Sequence, residues 1–125
     1  MPDLTFISPV NVIKYVGAEP ILIDADKETW QIDSKLIKKF LERECLLKKS
    51  KLIHKRSNKK IKAILVVHIL GYPSNIKMIK TLAKKFNLPI IEDVAETLGA
   101  KINGKYVGND GVLSCYSFNG NKIIT

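Results

Sequence analysis

The sequence predicts an α/β fold in which a mostly parallel sheet carries helices on both faces. Short apolar segments alternate along the chain with amphipathic ones, as they do in strand–helix–strand units. The segment from Ile61 to Val67 is continuous and rich in β-branched residues, which is typical of a strand covered on both faces. A length of 125 residues with 46% hydrophobic residues suits one domain with a packed core.

The N-terminal residues predict the end of a strand followed by a short helix. Leu4 to Ile7 is short and apolar, which is typical of a strand end. Ser8-Pro9 then predicts a helix start, because serine caps helices well and proline suits the first helical position. We expect Gly17 to end this helix, since glycine readily adopts the conformation that terminates helices.

A second strand and a second helix are predicted next. Ile21 to Ile23 predicts a buried strand, and Trp30 is expected to pack over the loop that follows it. Asp33 or Ser34 is expected to cap the helix. Its apolar positions recur every three or four residues, at Leu36, Ile37, Phe40 and Leu41. Leu46 to Lys60 has no clean periodicity and predicts an exposed insertion.

The middle of the chain predicts a strand–helix–strand unit. The strand from Ile61 to Val67 is followed by a loop from His68 to Pro73. Ile76 to Phe86 predicts an amphipathic helix with its lysines outward, and Asn87 ends it. Pro89 to Glu92 predicts the next strand. Because such connections are right-handed crossovers, the two strands should run parallel in one sheet.

The last quarter of the chain predicts a hairpin and a further strand. Asn103-Gly104 lies within the alternating segment Lys101 to Val107 and is the strongest hairpin signal in the sequence. Leu113 to Phe118 predicts a strand. Ile123-Ile124 has the composition of a strand that no helix follows. We therefore expect the 125 residues to be a piece of a larger protein.

The formal net charge of +9 suggests a nucleic-acid partner, but the distribution of the charge argues against one. The excess lies between Lys35 and Lys62, and its polar loop contains no Phe, Tyr or Trp that could stack on bases. We therefore predict no nucleic-acid partner and interpret the run as a solvated face. Attraction to an anionic substrate and complementarity to an acidic surface on another chain are the alternatives.

The sequence also predicts a cytoplasmic chain without a membrane partner. No apolar run approaches the ~20 residues that a membrane helix needs, and Met1 to Thr5 lacks the features of a secretory signal. Cys45 and Cys115 are too few for a disulfide scaffold. Together with His54 and His68 they do not have the spacing of zinc ligands, so we predict no metal.

Polar residues follow two of the predicted parallel strands. Ligands of open parallel sheets bind outside the carboxyl ends of the strands, where His68 and Asp93 should lie. A buried carboxylate such as Asp93 needs a partner. That partner is either a protonated pyridine nitrogen or the backbone of a loop or helix start that Asp93 caps. His68 is either a residue at the edge of the site or a core histidine.

A serine and a lysine follow in the pattern Ser-Phe-x-x-x-Lys, at Ser117 and Lys122. Alone, Lys122 in a polar tip predicts no more than a solvent-exposed lysine. In the order acid at a strand tip, hairpin, serine and lysine, these residues are the parts needed to hold and use an aldehyde cofactor.

This series resembles the DegT/DnrJ/EryC1/StrS sugar aminotransferases, a family of pyridoxal-phosphate enzymes of fold type I. The resemblance covers nearly the whole chain and depends on short segments in family order. They are Thr5-Phe6, Tyr15 to Pro20, Ile23-Asp24, Ile32-Asp33, Val67-His68 with Gly71, Ile91 to Asp93, Leu98 to Ala100, and Cys115 to Phe118 with Lys122. The resemblance implies that residues 1–125 are the central part of an aspartate aminotransferase-like large domain, without its N-terminal start and the C-terminal small domain.

The resemblance also implies roles for four residues. Lys122 would form the internal aldimine with pyridoxal 5'-phosphate, and Asp93 would pair with the pyridinium nitrogen. Ser117 would help hold the cofactor phosphate. Glu96 stands where members of the family place Gln, Glu or His against the ring. Lys122 argues against the dehydratase relatives, which carry histidine at this position.

Three departures from the family pattern are present. Val112 stands where the family usually has Asp, and Ser114 where it usually has Gly, so we expect repacking in the approach to Ser117. The Gly-Thr turn that binds the phosphate in the family would lie upstream of Met1. Members of the family build each site from two subunits, so the resemblance also implies a homodimer.

The function implied by the resemblance is transfer of an amino group, from glutamate, to the C4 ketone of a nucleotide-linked sugar. Glu44-Cys45, the basic insertion and Phe118 to Thr125 are most similar to the LegC-like subgroup, which acts on UDP-linked 4-keto amino sugars in glycan biosynthesis. The alternatives are a catalytically inactive remnant or interaction module of the same fold, and a basic nucleic-acid binder. We expect the isolated 125 residues to bind the cofactor weakly and to be inactive by themselves.

Overall fold

A three-stranded parallel sheet lies at the centre of the structure, a computed structural model that describes residues 1–125. In chain order the strands are β1 (Cys45–Lys48), β2 (Lys51–His54), β3 (Ile64–Val67), β4 (Ile90–Asp93), β5 (Lys101–Ile102), β6 (Lys105–Tyr106) and β7 (Leu113–Cys115). The helices are α1 (Ile7–Tyr15), α2 (Ser34–Arg43) and α3 (Ile76–Phe86), and a 3₁₀ turn spans Ile69–Gly71. The prediction of an α/β fold with a parallel sheet is confirmed.

The central sheet has the order β3-β4-β7, and both pairings are parallel. Val67 lies opposite Asp93, which in turn lies opposite Cys115. The three strands therefore end in register at one edge of the sheet. The residues that follow these ends form the candidate site, as expected for an open parallel sheet.

The main hydrophobic core joins α2 and α3 to β3, β4 and the β1–β2 hairpin. Its 13 buried members are Ile32, Ile37, Leu41, Cys45, Leu52, Ile64, Val66, Ile76, Ile79, Leu82, Ala83, Leu88 and Ile90. Side chains alternate across the strands, so one face of β3 and β4 contributes apolar residues to this core. In α2 and α3 the apolar residues recur every three or four positions, so one face of each helix does the same. No helix is long and apolar enough to span a bilayer.

The ends of α2 and α3 follow the local sequence. The Asp33 carboxylate accepts hydrogen bonds from the backbone N–H groups of Lys35, at 2.7 Å, and Leu36, at 3.3 Å. Asn87 adopts the left-handed conformation, with φ of 52°, and ends α3 as predicted. These features need only nearby residues, so the sequence pattern was sufficient to locate them.

The predictions for the first residues are partly wrong. Leu4 to Ile7 does not end a strand, because α1 begins at Ile7 and only Pro2 forms a bridge, with Ile23. Ser8 is not the cap of α1: Phe6 precedes the helix without a side-chain hydrogen bond. Pro9 is tolerated in the first turn because the N–H groups there have no partner within the helix.

The predicted strand from Ile21 to Ile23 is also wrong. Its only pairing partner is the segment at Pro2, through one bridge, and Leu22 is 53% exposed. Trp30 does not pack over the loop; it is 58% exposed and has a φ of 63°. The local pattern was apolar enough for a strand, but no second neighbouring strand covers this segment.

The later segments differ from the predictions mainly in their ends. The Asn103-Gly104 hairpin is confirmed as β5–β6. The strand predicted from Leu113 to Phe118 ends at Cys115, and Ile123-Ile124 lies in irregular, exposed chain. Most of the regular antiparallel hairpin β1–β2 lies within the predicted exposed insertion, Leu46 to Lys60, and its Leu52 reaches the core together with Cys45.

We predict that Asp33→Ala lowers the free energy of unfolding by about 1 kcal/mol, because two N–H groups at the start of α2 lose their acceptor. Asp33→Asn keeps a side-chain oxygen and should lose much less. Urea unfolding followed by circular dichroism measures both variants. Equal losses for the two variants would contradict a capping role.

Candidate active site

The three strand ends bring Asp93 to the middle of the sheet edge. Asp93 is half-buried, and its Oδ1 accepts a hydrogen bond from the Ala95 N–H at 3.0 Å. Oδ2 has no hydrogen-bond partner, and no cation lies within 4.0 Å of the carboxylate. The first oxygen therefore caps the loop after β4, while the second is available to a further donor. Both sequence-based alternatives for Asp93 are compatible with this geometry.

Glu96 and Lys122 are brought together beside this edge. Lys122 Nζ lies 3.7 Å from Glu96 Oε1. Glu96 Oε2 accepts a hydrogen bond from the Leu70 N–H at 2.7 Å. The Glu96 carboxylate thus joins the turn after β3 to the lysine 26 residues downstream in the chain. Its side chain is 42% exposed and that of Lys122 is 21% exposed, so solvent screens this ion pair.

An open cavity of about 250 Å³ adjoins this pair. Its lining residues come from the turn after β3, the loop after β4 and the C-terminal segment: Leu70, Gly71, Ala95, Glu96, Asn121, Lys122 and Ile123. Asp93 and Ser117 are not among them. A larger, mostly apolar cavity of about 620 Å³ adjoins the other end of β3 and contains none of the predicted site residues.

Ser117 lies two residues beyond the end of β7 and is half-buried. No side-chain hydrogen bond joins it to Asp93, Glu96 or Lys122.

Ser114 and Val112, the two nearby departures from the family pattern, have different surroundings. The Ser114 hydroxyl donates to the Gly108 carbonyl at 2.6 Å, and Val112 is exposed. β7 pairs with β4 in regular parallel register, with Ser114 opposite Glu92.

His68 is a core histidine. Its side chain is completely buried, and its Nδ1 accepts a hydrogen bond from the Ser74 N–H at 2.9 Å. Because a backbone N–H can only donate, the proton of the neutral ring must be on Nε2, which lies 3.0 Å from Glu92 Oε2. Both ring nitrogens therefore have protein partners, and His68 has no nitrogen free for a ligand.

Glu92 is a buried residue that supports the site, and the sequence patterns assigned it no role. It is completely buried, and its Oε1 accepts hydrogen bonds from the N–H groups of Asp110, at 2.8 Å, and Gly111, at 2.5 Å. A Cβ on Gly111 would lie 2.7 Å from the Ile90 carbonyl oxygen, so glycine is needed at this close approach. An acid in an apolar strand was the available signal, but its partners are distant in sequence.

The pKa of Glu92 is lowered from its usual value of 4.5. Burial by itself raises the pKa of this carboxyl, but hydrogen bonds from His68, Gly111 and Asp110 favour the charged form and outweigh burial. A carboxyl with a lowered pKa in the folded state stabilises the fold above its unfolded pKa. That contribution is lost as the pH falls through the folded pKa.

Buried hydrogen bonds continue from His68 to the turn that borders the cavity. The Ser74 hydroxyl lies 3.0 Å from Gln31 Oε1. Gln31 Nε2 donates to the Ile69 carbonyl at 3.0 Å, and Ile69 N–H donates to Gln31 Oε1 at 3.2 Å. Gln31 thereby holds the turn in which Leu70 takes the unusual φ of 57° and offers its N–H to Glu96.

We predict that Glu92→Gln lowers the free energy of unfolding by about 2 kcal/mol at pH 7, because the amide cannot accept all three hydrogen bonds. The difference from the natural chain should shrink as the pH falls below 4.5 and Glu92 becomes protonated. Urea unfolding at several pH values measures this difference. Glu42→Gln, in an exposed pair with Lys85, is the control and should change little. A pH-independent difference would contradict a charged Glu92.

Comparisons with known proteins show which sequences and folds this chain is similar to. The chain is 44% identical over its whole length to a GDP-perosamine synthase of Escherichia coli O157:H7, and it covers 30% of that protein. It is 33% identical, over 94% of its residues, to a UDP-N-acetyl-3-dehydro-alpha-D-glucosamine 3-aminotransferase of Acidithiobacillus ferrooxidans, of which it covers 28%.

The fold matches a crystal structure of a DegT DnrJ EryC1 StrS aminotransferase from Brucella abortus. The TM-score is 0.85 at 26% identity, and the match covers 97% of this chain and 30% of that one. The chain thus spans about 30% of the length of the curated relatives it matches. The model of the DegT/DnrJ/EryC1/StrS aminotransferase family matches residues 1–125, and the chain belongs to that family.

Proposed function

We propose that this chain is part of a pyridoxal-phosphate-dependent aminotransferase that transfers an amino group, from glutamate, to the C4 ketone of a nucleotide-linked sugar. The observation that carries the proposal is Lys122 beside Glu96 on a cavity at the sheet edge where Asp93 ends β4. Relatives of this chain are named as aminotransferases of nucleotide-linked sugars, which supports the substrate class.

The proposal concerns a longer enzyme. Because the chain spans about 30% of its relatives, we propose that residues 1–125 form the central part of the cofactor-binding large domain. The small domain and the Gly-Thr turn for the phosphate would be supplied by other parts of the polypeptide. We further propose a cytoplasmic homodimer whose product enters surface glycan biosynthesis.

The residues present fit the cofactor that the family implies. An amine and a carboxylate that hold opposite ends of one aromatic ring should not touch each other, and no ion pair joins Asp93 to Lys122. Asp93 Oδ2, which has no protein partner, would accept a hydrogen bond from the protonated pyridine nitrogen. Ser117 would hold the phosphate. When bound, pyridoxal phosphate supplies an electron sink for the bonds at the amino-bearing carbon.

Lys122 is the residue of this chain that would take part most directly in the reaction. Its Nζ would bind the cofactor aldehyde at rest and, once displaced by substrate, carry the proton of the 1,3-shift. Glu96 accepts from the Leu70 N–H with one oxygen, so its other oxygen is held where it can orient the Lys122 amine. Asp93 would keep the ring nitrogen protonated throughout.

We also propose which carbon of the sugar is aminated and which nucleotide the sugar carries. Similarity to the subgroup acting on UDP-linked 4-keto amino sugars favours a UDP-sugar and C4. Among the relatives, one name specifies GDP-perosamine and another a 3-amino sugar, so amination at C3 and a GDP-sugar are the competing results. Incubation with each keto sugar and glutamate, followed by mass spectrometry, distinguishes them.

We predict that borohydride reduction in the presence of pyridoxal phosphate attaches the cofactor to Lys122, in this chain and in the longer enzyme that contains it. Peptide mass mapping locates the label. Lys122→Ala should abolish it, whereas Lys105→Ala, which removes an exposed lysine, should not. A label elsewhere would refute the role of Lys122. The absence of both a label and a saturable visible absorption band would instead favour the inactive remnant.

We also predict that Asp93→Asn slows the half-reaction with glutamate on the order of 100-fold, because an amide cannot stabilise the charge on the ring nitrogen as a carboxylate does. Stopped-flow absorbance of the longer enzyme measures the rate. Asp110→Asn, which changes an exposed pair with Lys80, is the matched control. Equal rates for Asp93→Asn and the natural enzyme would refute this role.

A further inference from the structure

The β1–β2 hairpin and the segment that follows it carry charge of one sign. From Cys45 to Lys62 the chain contains seven lysines, one arginine and no acidic residue, which accounts for eight of the nine net positive charges. Only Lys59 in this segment pairs with an acid, Glu19. The segment is therefore a localised cationic surface on an otherwise nearly neutral chain.

The register of the hairpin determines which side chains share its outer face. Cys45 and Leu52 point into the core, with exposures of 6% and 2%. Side chains alternate along a strand, so the other face of the hairpin is directed outward. Leu46 lies opposite Ile53, which bridges Lys60 on its other side, and Lys48 lies opposite Lys51. The outer face therefore combines two aliphatic and three cationic residues: Leu46, Lys48, Lys51, Ile53 and Lys60.

This face is unfavourable for a hairpin surrounded only by water. Lys48 and Lys51 are directly opposed, and like charges at such positions destabilise a strand pair. Leu46 is 47% exposed, on a face where a half-buried antiparallel hairpin usually carries polar residues. A partner that is both anionic and able to accept aliphatic side chains would relieve both costs.

We propose that this outer face docks on an anionic phospholipid surface. Lysine clusters next to exposed aliphatic groups suit a bilayer interface, where weak electrostatic and apolar contributions combine. Nucleic acid is disfavoured because the segment contains no Phe, Tyr or Trp for stacking. An acidic protein is disfavoured because protein interfaces favour arginine and aromatic residues over lysine.

This contact is peripheral and differs from the sequence-based prediction of no membrane partner. That prediction depended on the absence of a long apolar run. The outer face becomes visible only when the strand register places Leu46 and Ile53 in one row with Lys60 and next to Lys48 and Lys51.

Co-sedimentation with lipid vesicles tests the proposal. The chain should bind vesicles of phosphatidylcholine and phosphatidylglycerol in equal parts, more weakly at high salt, and should not bind phosphatidylcholine alone. Lys48→Glu with Lys51→Glu and Lys60→Glu should weaken binding roughly 100-fold or more. Leu46→Ser with Ile53→Thr leaves the charge unchanged and should also weaken binding. Circular dichroism checks that each variant is folded.

A matched charge control separates a specific face from general attraction. Lys77→Glu with Lys84→Glu and Lys105→Glu changes the net charge equally at exposed lysines outside the hairpin, and this variant should retain most of the binding. Equal weakening by both triple variants would overturn the proposal. Unchanged binding of the Leu46/Ile53 variant, or tighter binding to polyglutamate or single-stranded RNA than to anionic vesicles, would also overturn it.

Discussion

The buried carboxylate of Glu92 is the interaction on which the structure around the site depends. A buried charge is costly unless hydrogen bonds stabilise it. Three donors stabilise this one: the His68 ring and the N–H groups of Asp110 and Gly111. These donors come from the end of β3 and from the loop that leads into β7. A single carboxylate on the central strand therefore ties both neighbouring strands to it at the edge where Asp93 lies.

The hydrogen bonds around Glu92 and His68 also separate the buried supporting residues from the side chains that are proposed to react. His68 uses both nitrogens inside the protein, so the polar chain through Ser74 and Gln31 is a structural support for the turn at Ile69–Gly71. The turn offers the Leu70 N–H to Glu96, whose other oxygen faces Lys122. The proposed reactive groups thus lie on loops or at a strand end, while the residues that hold those loops are buried and hydrogen-bonded within the protein.

Charged side chains are arranged differently at the sheet edge and on the outer face of the β1–β2 hairpin. At the sheet edge the carboxylates are matched by nearby donors or by a lysine. On the hairpin outer face, cations are placed next to one another and next to the exposed Leu46 and the half-buried Ile53, with no acid in the segment. Internal matching is typical of a site that positions its own residues, and unmatched charge is typical of a surface that meets an external partner.

The sequence by itself determined the features that depend on neighbouring residues: α2, α3 and their ends, the Asn103-Gly104 turn, and the order of motifs that shows the family. Helix periodicity, capping and turn chemistry act over a few residues, so they can be read from the chain. Tertiary structure decided the rest. Ile21 to Ile23 is not a strand, because a strand needs neighbouring strands to pair with. The surroundings of His68 and Glu96 come from partners that are distant in the chain. The composition of the hairpin outer face comes from strand register, and local patterns encode neither distant partners nor register.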